Sequence, residues 1–200
     1  MAEVKGTMVK AWMAFLREIY GDTLVNESIK SARGDDGRLL KGPFLDSSWY
    51  PIDTSHALTR LTGWLTGGAQ PHIALEVGRY MARHVYGSVY RNLIVDDPVK
   101  QVTKFAWTHD LFYRGLRTQT VETTGPASCI VTCVYEPGER LLPGTCDGFL
   151  GYWLQMLELT GAANVRGNHS RCTLEGEDRC EFIIAWGLPV SEDQPSAAHP

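Results

Sequence analysis

Apolar positions recur at helical spacing from the start of the chain. Val9, Trp12, Met13, Leu16, Ile19 and Tyr20 share one broad arc, and Gly21 follows as a stop able to take the left-handed conformation. The pattern predicts a first helix ending there. Asp22 can cap a second, shorter helix carrying Leu24, Val25 and Ile29. The period then breaks in GRLLKGPFLDSSWYP, whose two prolines forbid a continuous helix. Helical spacing returns with Leu58, Leu61 and Leu65 after a cap at Asp53 or Thr54. It returns again with Ile73, Val77, Met81 and Val85 between Pro71 and Gly87, and a third time from Asp97 and Pro98 to about Trp107. Helices are therefore expected to precede any clear strand.

After residue 116 the period changes. RTQTVETT and ASCIVTCVYE are rich in β-branched and aromatic residues and flank a GlyPro turn, which predicts two antiparallel neighbours. Leu150, Trp153, Leu154 and Leu157 form the stripe of a late helix running from near Thr145 to Gly161. ANVRGNHSRCTL and RCEFIIAW read as strands joined across the turn EGED. The class expected is α+β, N-terminal helices packed on an antiparallel sheet. Residues 1–187 make one domain, and residues 188–200, which have no apolar pattern, are expected to form a disordered tail.

Charge narrows the function classes. The net charge is −4 with Lys and Arg scattered, so no basic footprint for nucleic acid is visible. The N-terminal residues lack the apolar run of a signal peptide, and no stretch is apolar enough for a membrane span, which predicts a cytoplasmic protein. GxSxG, a Walker loop, HExxH and a GxGxxG after a strand are all missing, so no catalytic residue is assigned.

The five cysteines carry most of the chemical information, because stable disulfides are not expected in a reducing compartment. A hairpin would bring Cys172 near Cys180. His169 lies three residues before Cys172, and Cys146 stands in the first turn of the late helix, where the dipole favours a thiolate. Three thiolates and an imidazole suit a tetrahedral structural zinc. The alternative is three buried thiols and a surface histidine. One difficulty is parity: along a continuous strand His169 and Cys172 face opposite sides. Cys129 and Cys133 lie too far apart on one strand to chelate together and read as small buried residues.

The cysteine and histidine spacing with the ending GEDRCEF resembles the C-terminal part of the 4-vinyl reductase domain family. In its phenol-responsive sensors a zinc is held by Cys, Glu, Cys and Cys, and here His169 stands at the glutamate position. More of the chain, including VKGTMVKAWMAFLREIYG, LLKGPFLDSSWYP, GPASCIVTCVYEPG and RCTLEGEDRCEF, resembles a paralogous family abundant in myxobacteria. The resemblance implies a vinyl-reductase-like fold shared with the TRAPP vesicle-tethering subunits, an apolar cavity and a homodimer.

The leading expectation is a non-enzymatic sensor or signalling module for a small hydrophobic or aromatic ligand, reporting to a separate signalling protein. A ligand-free adaptor is the second reading, and a reductase-type enzyme the third. The residues expected at the ligand are Trp107, His109, Phe112 and Tyr113 of WTHDLFY, with Tyr152 and Trp153 of the late helix. The wide apolar arc of the first helix supports the homodimer.

Overall fold

The structure is a computed structural model that describes residues 1–68 and 70–187. Its elements are β1 (Glu3–Lys5), α1 (Gly6–Tyr20), α2 (Asp22–Ser31), α3 (Asp36–Leu39), β2 (Trp49–Pro51), α4 (Asp53–Leu65), α5 (Pro71–Tyr86), α6 (Pro98–Thr108), β3 (Tyr113–Arg114), β4 (Arg117–Gly125), β5 (Ser128–Tyr135), α7 (Thr145–Glu158), β6 (Ala163–Arg171) and β7 (Cys180–Gly187). The expected tail, residues 188–200, lies outside the described residues. No helix among the described residues is long and apolar enough to cross a membrane.

The mixed helix and sheet class holds, with one correction. A strand precedes the helices: β1 pairs antiparallel with β2 on one side and β3 on the other, so Val4 faces Tyr50 and Tyr113. Two-residue and three-residue strands leave no period to read, and only partners distant in sequence make them strands. This small sheet fixes the start of α1 and brings the end of the α6 region beside it.

The arc of α1 is also corrected. Met13, Phe15 and Leu16 are buried inside the chain, and the Trp12 indole N–H donates to Thr62 Oγ1 at 3.1 Å. Ile19, at 57% exposure, is the large apolar residue of the arc left in solvent. Helices α4 and α5 consume the surface that suggested a dimer, so the arc no longer supports one.

The second half forms a four-stranded antiparallel sheet in the order β4-β5-β7-β6. Cys129, Val131 and Cys133 of β5 alternate inward, as do Cys180, Phe182, Ile184 and Trp186 of β7. Helix α7, buried along most of its length, packs against β6, β7 and α5. Its approach to α5 is backbone against backbone. A Cβ on Gly78 would stand 1.8 Å from the Gly148 carbonyl oxygen, and one on Gly151 would stand 2.0 Å from the Leu75 oxygen. That contact requires glycine. It places one side of α7 toward the helical half and the other toward the sheet.

Candidate functional site

Two buried constellations are built from these elements, both using α7. The first is an apolar cavity of about 120 Å³ between the helical half and the sheet. Met8 and Trp12 of α1, Val77 and Met81 of α5, Phe105 of α6 and Phe149 and Tyr152 of α7 line it. Its lining also includes the titratable side chains of His56, His109, Tyr113, Arg117 and Arg140.

His109 follows the last turn of α6 and is 2% exposed. Its ring stacks on Tyr113 at 5.2 Å between centroids, its Nδ1 lies 3.5 Å from an Asp110 carboxylate oxygen, and its Nε2 is buried with no hydrogen-bond partner. Burial, then the charge of Arg117, holds its pKa well below the usual histidine value. The imidazole is therefore neutral near pH 7. An Nδ1–H donated to Asp110 leaves Nε2 as a buried, unpartnered lone pair on a residue that lines the cavity.

Arg117 opens β4 and is 7% exposed. It has no carboxylate within ion-pair distance among the described residues. One N–H donates to Tyr135 Oη at 3.0 Å, and the guanidinium lies 3.9 Å from the Phe149 ring centre. Its Nε is buried without a partner.

The second constellation is the cysteine cluster. The ligand-type atoms of Cys146, His169, Cys172 and Cys180 all lie within 4.8 Å of one another. The parity difficulty is removed because β6 is irregular between His169 and Arg171 and ends there, and Cys172 follows in a cap. Cys146 Sγ is 3.7 Å from Cys180 Sγ and 4.0 Å from Cys172 Sγ. The Cys146 thiol, the Thr173 hydroxyl and the Thr173 N–H all point to the Cys180 sulfur. Those contacts draw the Cys180 pKa below the usual thiol value, while Cys146 keeps its proton. The His169 ring stacks on Phe182 at 4.4 Å. Cys129 and Cys133 stand apart from this group, and burial pushes their thiols up to about 12 and about 11.

Of the six residues expected at a ligand, His109, Phe112, Tyr113 and Tyr152 line the cavity. Trp153 is fully buried, edge-on to Phe105 at 4.7 Å, and Trp107 is 64% exposed on the outer side of α6. Sequence reasoning missed Arg117, Arg140 and the α1 and α5 walls. Arg117 carries a readable signal, a charged residue opening a strand that is otherwise half buried, but its isolation from acids is visible only in space.

No family model matches the chain, and no curated protein does. Solved structures do. An Fe(II) unliganded H-NOX protein from K. algicida is 15% identical over 94% of this chain and 98% of its own, with a TM-score of 0.68. An H-NOX protein from S. oneidensis in the Fe(II)NO ligation state is 12% identical over 92% and 99%, at 0.70. An oxygen-binding H-NOX domain related to soluble guanylate cyclases, in its oxygen complex, is 18% identical over 96% and 100%, at 0.68.

The chain has the H-NOX fold. This overturns the vinyl-reductase and TRAPP parentage, and with it the reading of a hydrophobic-ligand sensor built on a structural zinc. Two of these neighbours hold Fe(II), and others that share the fold are described with heme. The cysteine spacing that suggested zinc identified neither the fold nor the cofactor.

Proposed function

We propose that the cavity holds an iron porphyrin and that the chain works as a heme-based gas sensor. The observation that carries this is His109, a neutral buried imidazole that lines an apolar cavity, whose Nε2 is unpartnered and whose Nδ1 faces a carboxylate. That is the arrangement of a histidine ready to ligate a metal, because the second hydrogen bond fixes tautomer and orientation. The chemistry of the donor set fits the group, a neutral imidazole and basic side chains on an apolar wall. His109 would hold the iron, and the bound group would supply the chemistry of taking up a small gas. Asp110 orients His109. Arg140, exposed at the mouth, offers charge to acidic side groups. Met8, Val77, Met81 and Phe105 exclude water. The void is smaller than a macrocycle, so loading has to part the walls contributed by α1 and α6.

A cytosolic setting and a separate protein as receiver of the signal belong to the same proposal. We also propose that Cys146, His169, Cys172 and Cys180 act as one set that pins β7 and the end of β6 to α7, and that Phe112, Tyr113 and Tyr152 serve as pocket walls. Titration with hemin tests the reading. A saturable Soret band is expected, lost in His109→Gly and restored to that variant by added imidazole. A band unchanged by His109→Gly would assign the iron elsewhere and sink the proposal.

A further inference from the structure

We propose that the outer face of the β4-β5-β7-β6 sheet docks a second copy of this chain, forming a weak twofold dimer. The proposal is independent of what the cavity holds.

The two faces of this sheet differ. Helix α7 packs on the inner one, where Cys129, Val131, Cys133, Phe182 and Ile184 are buried. On the outer one the register sets Glu122 of β4 beside Ile130 of β5, Ile130 beside Ile183 of β7, and Ile183 beside Asn168 of β6. The neighbouring row on that face runs from Ser128 through Ala185 to Arg166. An antiparallel sheet that faces water on one side is expected to place polar residues there. The edge strand β4 does so with Thr118, Thr120 and Glu122. The central strands do not, and leave Ile183 and Val134 at 42% and 46% exposure.

Charge says which partner fits. Glu122 and Arg166 are exposed on opposite edge strands, and neither meets an opposite charge within ion-pair distance among the described residues. Three strand spacings, roughly 14 Å, separate them across the sheet. Glu181, on the same face, is by contrast held by Arg171 and Arg179. A twofold axis running along the strands between β5 and β7 lays β4 of one copy over β6 of the other. It seats Ile130 on Ile183 of the second copy, and puts Glu122 over Asn168 of the second copy, two residues from its Arg166. Under that symmetry each apolar contact and each ion pair occurs twice. Strand spacing and rise make the face about 19 Å by about 26 Å, so the two copies together bury roughly 1,000 Å². That is the low end for a specific interface, and the expected dissociation constant is roughly 10–100 μM.

The test is sedimentation equilibrium of the full chain in reducing buffer, which prevents intermolecular disulfides, from about 5 to about 500 μM. The wild type is expected to be monomeric at the bottom of that range and mostly dimeric at the top. Ile183→Lys should abolish association and leave the melting temperature of the dilute protein unchanged, because the side chain is already exposed. Glu122→Arg and Arg166→Glu should each weaken association by at least about fivefold, since each turns two attractions into two repulsions. The two substitutions together should recover the wild-type constant. A wild type that stays monomeric at the top of the range overturns the proposal and leaves the face to a different partner. A dimer that survives Ile183→Lys overturns it as well, because association would then use another surface. So does a double variant no better than the single ones, because the copies would not meet in this register.

Discussion

The cavity and the cysteine cluster share α7, and they differ in what their polar atoms meet. In the cluster the sulfurs are partnered, since Cys146 and Thr173 both point to the Cys180 sulfur and the nearest sulfurs are 3.7 Å apart, while the His169 Nε2 is buried without a hydrogen-bond partner. In the cavity, the His109 Nε2 and the Arg117 Nε meet nothing. Buried polar groups left unpaired cost stability, and a fold keeps them where something outside the chain completes them. The partnered sulfurs fit a supporting role for the cluster, and the orphaned groups gathered along one apolar wall fit the cavity as the place where chemistry enters.

Breaking what the two regions share should have the largest effect. Gly151→Leu forces a side chain into the Leu75 carbonyl and should cost more than about 3 kcal/mol. Chemical denaturation would show it, and hemin uptake should vanish with the fold. Next, Cys180→Ala removes the common acceptor of the cluster and should destabilise by roughly 1–3 kcal/mol. If cluster and cavity are independent as drawn, its hemin affinity stays that of the wild type. A tenfold loss of affinity would mean that α7 transmits the change.

A smaller effect separates the histidines by pH. In the unfolded chain the His109 imidazole takes up a proton near pH 6.5, but in the folded chain it does so only well below that value. Between the two values the unfolded chain binds more protons, so this residue contributes stability above pH 6.5 that is lost as pH falls. His109→Phe should flatten the drop in melting temperature between pH 7 and pH 5, and an unchanged slope would show that His109 titrates freely. The smallest effect is that of Trp107→Ala, at an exposed ring away from the cavity. It should change stability by less than about 0.5 kcal/mol and leave hemin binding alone.

Trp107 shows why the site was only partly legible. WTHDLFY reads as one aromatic cluster, but α6 ends inside it. The helical turn sends Trp107 outward and Phe105 and His109 inward, and residues past the helix take a third direction. Tyr152 and Trp153 were both readable as large rings on α7. Which of them faces the void depends on the α5 crossing set by Gly78 and Gly151. The cysteine quartet was legible as a group because a hairpin is a local structure, whereas its cofactor reading failed because ligand spacing carries no information about the rest of the fold.

From the sequence alone came the long helices, the hairpins, the α+β class and the convergence of Cys146, His169, Cys172 and Cys180. Each is encoded within a few dozen residues by period, caps and turns. The tertiary structure alone decided the β2-β1-β3 sheet, the loss of the α1 arc to α4 and α5, the H-NOX architecture and the isolation of Arg117 from every acid in the described chain. These depend on partners brought together from distant segments, and in the case of Arg117 on a partner that the described chain does not supply, which no local pattern of residues can express.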